Sequence, residues 1–215
     1  MFPGLINFFG SGGFFMIPLV LCSIVSVAFI VERGIALKRA NVIPEDLYRS
    51  ITRLTIGGNT KEIQQLAAPG TTTLARLIRI CLEHLPWSKA ENVEAVQTQA
   101  RTEITRLERG LVVLEITTGV SPLLGLLGTA SGLITVFANI GETGLDSGQG
   151  MIIAQGISEA LNTTVTGLVI AIPSLIAHSY YTKKIEAMSV EMESLCMDFL
   201  TKCYLVSGDG PPSDS

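Results

Sequence analysis

Three stretches without a charged residue, Phe14 to Val31, Ile116 to Ile140 and Ala160 to Thr182, constrain this chain more than anything else in it. Crossing a bilayer takes roughly 20 apolar residues. Backbone in lipid must also satisfy its own hydrogen bonds, so three such stretches predict three helices. A chain with 47% hydrophobic and only 16% charged residues, at a mean hydropathy of +0.46, is too apolar for an ordinary soluble domain. The first stretch has no Lys or Arg ahead of it, and Glu32-Arg33-Gly34 offers no small-residue cleavage site, so it reads as a retained helix rather than a signal peptide.

Lys and Arg between spans mark the cytoplasmic side. All 15 lie between Arg33 and Arg109 or from Lys183 onward, and none falls before Phe14 or between Gly141 and Glu159. The expectation is an all-α membrane protein with its N-terminus outside and its C-terminus cytoplasmic. An outer segment occupies 1–13, spans occupy 14–31, 113–140 and 156–181, and an outer Gly-rich turn joins the last two over 141–155. A cytoplasmic helical domain fills 32–112, a cytoplasmic helix 182–206, and a compositionally disordered tail 207–215.

The second and third spans are expected to extend as helices into a cytoplasmic bundle. Val93, Val96, Ala100, Ile104, Leu107, Leu111 and Leu114 recur at threes and fours and lead straight into span two, after a capping box at Ser88 and Glu91. Ile185, Met188, Met192, Leu195 and Phe199 continue span three in the same way. Between Glu45 and Leu85, shorter amphipathic pieces broken at Gly57-Gly58 and Pro69-Gly70 complete the bundle. Cys22, Cys81, Cys196 and Cys203 have no metal-ligand spacing and read as small buried side chains, so no metal and no cofactor is expected. Without a basic tail or aromatic-interleaved patch, no nucleic-acid partner is expected either.

The spans differ in chemistry. Span one is bulky and nearly featureless, as suits a lipid-facing anchor. Span two places Gly125, Gly128 and Gly132 among hydroxyls, and small residues at helical spacing let backbones approach. Pro122 and Pro173 each remove one backbone hydrogen bond and act either as tolerated kinks or as hinges. His178 beside Tyr180 and Tyr181 fits an aromatic interface belt better than a proton relay, and Glu115 an interfacial position. Glu159 is the sharpest feature, because an ionised side chain at the bilayer centre costs about 2.5 to 3.5 kcal/mol. Its bland reading is an interfacial carboxylate favoured by a helix N-terminus; the functional one is a carboxylate at the mouth of an ion path. At 100° per residue, Thr163, Thr166 and Ile170 stay within about 40° of it, so a carboxylate and two hydroxyls share a stripe. Each hydroxyl has a bland reading as well, a bond back to its own i−4 carbonyl.

Ser121 to Phe137, "SPLLGLLGTASGLITVF", resembles the APLLGLLGTVxGMIxxF signature of the ExbB/TolQ/MotA family. Gly156 to Tyr181, "GISEALNTTVTGLVIAIPSLIAHSYY", resembles the third span of that family, and span one with its terminal Glu32-Arg33 also fits. The resemblance implies an ion channel, with Thr129 and Thr164 at the family's second- and third-span threonines and Glu159 at its third-span glutamate. It implies a homopentamer around a dimeric, single-span ExbD/TolR-like partner that supplies the titrating Asp. It further implies a bacterial inner-membrane location and an effector of TonB or TolA type. Ala130-Ser131 and Asn162-Thr163 depart from the family pattern toward polarity. The alternative is a non-conducting scaffold whose polar residues merely glue helices. An intramembrane enzyme finds no nucleophile with a base, no HExxH and no paired aspartates.

Overall fold

The computed structural model describes residues 14–143 and 149–205, without the side chains of residues 139–143, 149 and 152. Among the described residues all regular structure is helical. The helices are α1 (Met16–Ala36), α2 (Arg39–Val42), α3 (Glu45–Arg53), α4 (Lys61–Ala67), α5 (Thr73–Glu83), α6 (Lys89–Glu108), α7 (Leu111–Thr143) and α8 (Gln149–Tyr204). Three of them, α1, α7 and α8, are long and apolar enough to cross a membrane. The expected outer segment 1–13 and tail 207–215 lie outside the described residues.

The chain forms two compact units, one from residues 1–33 and 110–180, the other from 34–109 and 181–215. In the first unit α1, α7 and α8 each bury one face. Met16 and Leu19 of α1 close a small core with Ile170 of α8, and Leu124 of α7 packs against it. The opposite face of α1, with Ile17, Leu21, Ile24, Val27 and Val31, is exposed. Span one is therefore not the featureless anchor its composition suggests. Its Ser26 is buried and bonds the Ser174 hydroxyl of α8 at 2.6 Å, while Ser174 donates to the Ile170 carbonyl at 2.8 Å.

The helices run further than the sequence predicts around the expected outer turn. α7 continues to Thr143 and α8 starts at Gln149, so only residues 144–148 of that stretch lie outside the described helices. Packing overrides the low helix propensity of glycine here: a Cβ at Gly156 would sit 2.3 Å from Val136 Cγ2. The expected continuous helix leading into span two is instead divided, since α6 stops at Glu108 and α7 begins at Leu111. Gly110 sits in the break, and a Cβ there would be 2.3 Å from Arg33 Nε. No such break interrupts the third long helix. α8 spans 56 residues, about 84 Å at 1.5 Å per residue.

The second unit is an aqueous-type bundle. Ile185, Met188, Met192, Leu195 and Phe199, the periodic stripe of α8, are all buried, together with Leu47 and Ile51 of α3, Ile63 of α4 and Leu74, Leu77 and Ile78 of α5. The turns that let the short helices fold over are set by Gly57 and Gly70, the positive-φ residues at +80° and +59°. The capping box at Ser88 and Glu91 starts α6 as expected. The Ser88 hydroxyl and backbone N–H hold the Glu91 carboxyl below the usual carboxylate range.

Two polar knots tie this unit together. Glu103 of α6 is fully buried, yet it accepts from Arg76 of α5 at 2.5 Å, from Arg106 at 3.1 Å and from Gln99 at 3.0 Å. Burial alone would raise its pKa, but the hydrogen bond and charge of Arg76, with Arg106 and Gln99, hold it below the ordinary value. The second knot closes the end of α8. Asn92, fully buried, donates to the Cys81 carbonyl at 3.0 Å and to the Tyr204 hydroxyl at 3.1 Å, and that hydroxyl reaches the carbonyls of Trp87 and His84 at 2.9 and 3.2 Å.

Candidate functional site

In the first unit, the residues singled out by sequence gather along the meeting line of α7 and α8. Gly125 of α7 lies so close to α8 that a Cβ would stand 2.9 Å from the Thr163 carbonyl oxygen and 3.0 Å from Thr164 Cα. Gly128 meets the Thr163 side chain at 2.7 Å and Gly132 meets Ala160 at 3.1 Å by the same measure. The seam is reciprocal, because Gly167 of α8 would place a Cβ 2.5 Å from the Ser121 carbonyl oxygen. Gly167 carries no signal on its own; its use depends on where α7 docks. Pro122 is half-buried inside α7 and Pro173 exposed inside α8.

Close backbone approach brings the hydroxyls together. Thr129 of α7 and Thr164 of α8 bond each other directly across the seam. Around that pair, Thr129 Oγ1 is 3.0 Å from the Ala160 carbonyl and 3.2 Å from the Gly125 carbonyl, and Thr164 Oγ1 donates to Gly125 at 3.1 Å. Both threonines remain half-exposed in the single chain. Thr163 is buried and donates to the Ala160 carbonyl at 2.7 Å. Thr166 is buried and donates to the Asn162 carbonyl at 2.7 Å.

Glu159 stands apart from this pair. It is half-buried and ten residues into α8, whose first turn holds no acidic residue. The helix-dipole effect fades within the first turn. The reading of Glu159 as a carboxylate favoured by a helix N-terminus therefore fails: the helix starts earlier than the apolar stretch does. Around the helix, Thr164 lies about 140° from Glu159 at 100° per residue, so the threonine pair and the carboxylate occupy opposite edges of the buried face of α8. Among the described residues nothing bonds the Glu159 carboxylate.

The thiols offer no competing chemistry. A hydrogen bond from Cys196 and burial push the Cys81 thiol far up, and burial pushes Cys203 up to about 11, so both stay protonated and poor as nucleophiles or ligands. Among the described residues no cluster of three or more His, Cys, Asp or Glu side chains could hold a metal ion.

The profile of the MotA/TolQ/ExbB proton channel family matches residues 71–194, which include the whole α7–α8 seam and Glu159. This chain belongs to that family. An ExbB-like 1 protein of Synechocystis sp. is 32% identical over 176 residues, 81% of this chain and 69% of the relative. The biopolymer transport protein exbB1 of Vibrio cholerae is 29% identical, covering 74% of this chain and 70% of the relative. The ExbB of Aquifex aeolicus is 26% identical over 63% of this chain and 90% of its own length. Membership in the proton channel family sets the chain among membrane transport subunits with three apolar helices, and the threonine pair across α7 and α8 is where the two signature segments of the sequence meet.

Proposed function

We propose that this chain is the ion-conducting subunit of a bacterial inner-membrane motor. Five copies surround a dimeric, single-span ExbD/TolR-like partner and convert ion-motive force into mechanical work on the envelope. The absence of Lys and Arg before Phe14 and between Gly141 and Glu159 supports an outer N-terminus and a cytoplasmic C-terminus. No aspartate lies within the three charge-free stretches, so the titrating acid comes from the partner. Ions pass along α7, α8 and the partner helix, with Thr129, Thr164, Thr163 and Thr166 contributing hydroxyls and Glu159 near the outer mouth. Gly125, Gly128 and Gly132 keep α7 and α8 in register while Pro122 and Pro173 give them room to flex. The downstream effector is of TonB or TolA type or a motility machine.

The observation that carries this reading is the Thr129–Thr164 pair, which remains half-exposed at a seam otherwise sealed by glycines. A second reading draws on the same bonds: the hydroxyls of Thr129, Thr163, Thr164 and Thr166 each find a partner inside the chain, as a non-conducting scaffold requires. Proton flux through liposomes holding the chain with its single-span partner separates the two. Loss of most of the flux in Thr129→Ala and Thr164→Ala, with assembly intact, supports the channel; unchanged flux in both overturns it in favour of the scaffold.

A further inference from the structure

Three large apolar side chains of the second unit, Ile56, Trp87 and Leu205, are each more than half exposed, and they surround one cleft. Ile56 sits between Thr55 and Gly57, which line a cavity of about 220 Å³ together with Leu54, Leu85 and Tyr204. Leu205 follows Tyr204, and the Tyr204 hydroxyl reaches the Trp87 carbonyl at 2.9 Å. The His84 ring meets the Trp87 indole with centroids 4.0 Å apart and leaves it 52% exposed. Single exposed apolar side chains are ordinary on a protein surface, whereas several grouped around a cleft and rimmed by charge mark an interaction site.

The rim is positive where it is not already paired. Arg53 lines an adjoining cavity of about 230 Å³ that shares Leu54, Thr55 and Gly58 with the first. Among the described residues no ion pair engages it. The other charges of the rim are taken: Arg49 pairs with Glu45 at 3.2 Å, Glu62 accepts from Ser50 at 3.0 Å, and Lys202 is spent on Asp198 and on the carbonyls of Ile51 and Thr52. The surface therefore suits an occupant that brings apolar rings to the indole and a carboxylate to Arg53.

A segment of that chemistry leaves from this spot. Residues 206–215, VSGDGPPSDS, follow Leu205 and hold Pro211, Pro212, Asp209 and Asp214 but no Lys or Arg. The seven residues from Val206 to Pro212 reach up to roughly 24 Å when extended, whereas one tyrosine side chain and a hydrogen bond separate the start of the segment from Trp87. Proline-rich segments dock on aromatic-lined clefts at low ordering cost, because their backbone is already restricted. A tether also raises the effective concentration, so that even a weak site is filled. We propose that residues 206–215 dock on this cleft of their own chain, with Pro211 and Pro212 on the Trp87 indole and the aspartates answering Arg53, as a built-in cover of a docking surface of the second unit. The inference goes beyond ion conduction and stands apart from it.

Trp87 is the one tryptophan of the sequence, so its fluorescence reads the cleft directly. The full chain in phosphatidylcholine liposomes, with acrylamide equilibrated on both sides, is compared with a chain stopped after Leu205. The quenching constant should rise about twofold without the segment, since a docked proline pair hides about half of the exposed indole. Pro211→Ser with Pro212→Ser in the full chain should raise it to the same level and Arg53→Glu part-way, with helicity unchanged, while Arg53→Glu in the stopped chain should change nothing. Equal quenching in the full and stopped chains overturns the proposal and leaves the cleft to a separate protein, and unchanged quenching in the proline variant overturns it as well. Protection of the stopped chain by co-assembled full-length Trp87→Phe chains overturns docking within one chain and assigns the cover to a neighbouring copy.

Discussion

The two units of this protein are both helical, and they are held together by opposite means. In the first, α7 and α8 meet through Gly125, Gly128, Gly132 and Gly167, with hydroxyls bonding across the line. In the second, α8 buries Ile185, Met188, Met192 and Phe199 against the side chains of shorter helices. The same helix thus follows two rules along its length. Where the surroundings are lipid, large apolar side chains gain nothing by leaving them, and association comes from close backbone packing and hydrogen bonds. Where the surroundings are water, burial of apolar surface returns about 25 cal/mol per Å², and large side chains are the currency of packing.

This contrast breaks most visibly under substitutions of opposite sign. Phe199→Ala, at a fully buried position, should cost about 4 kcal/mol through lost burial and a cavity. Gly167→Val should cost about 3 kcal/mol for the reverse reason, since its Cβ would press on a backbone carbonyl that cannot swing away. Thermal unfolding in detergent followed by circular dichroism measures both. Gly119→Ala is the control: nothing lies within 4 Å of a Cβ there, so it should not destabilise and should gain up to about 1 kcal/mol from helix propensity.

A smaller effect sharpens the comparison on its electrostatic side. Among the described residues only the second unit buries a carboxylate with guanidinium partners, and Glu103→Ala should cost about 2 to 3 kcal/mol at neutral pH by leaving Arg76 without its carboxylate partner. Because the folded-state pKa of Glu103 lies below the ordinary 4.5, its contribution is complete above that value and disappears as pH falls through the lowered one. In chemical unfolding at a series of pH values, the advantage of the unaltered chain over Glu103→Gln should therefore hold from pH 7 to about 5 and shrink below 4.5. A constant difference down to pH 3 would show that the network does not depend on the charge.

The smallest effect concerns Ser26 and Ser174. A double-mutant cycle with Ser26→Ala and Ser174→Ala should give a coupling of about 0.6 kcal/mol, as expected of a hydrogen bond between helices in lipid. A coupling indistinguishable from zero would return α1 to the role of a passive anchor.

Much of this fold is legible in the sequence because its signals are local. The three long apolar helices, the capping box at Ser88 and Glu91, and the α8 stripe from Ile185 to Phe199 each follow from spacing within one segment. Gly125, Gly128 and Gly132 are legible too, since small residues at helical spacing in an apolar span have few other uses. What stays hidden depends on meetings between distant segments. Glu103 looks like a solvated residue of a charged helix until Arg76 arrives from 27 residues upstream. Ser26 looks incidental until Ser174 stands opposite, and Gly156 and Gly167 acquire their purpose only from the line of α7. Of the candidate site, the Thr129–Thr164 pairing joins residues 35 apart, and no periodicity within either helix announces it.

The second unit is assembled from residues 34–109 and from 181 onward, with both later apolar helices made in between. Ile51 accepts from Lys202, and Asn92 waits for Tyr204. During synthesis the early half of this bundle must therefore remain unfinished until more than seventy further residues have been made and the two apolar helices have found their places. A chain whose second or third apolar helix is misplaced would leave half a hydrophobic core without its second half.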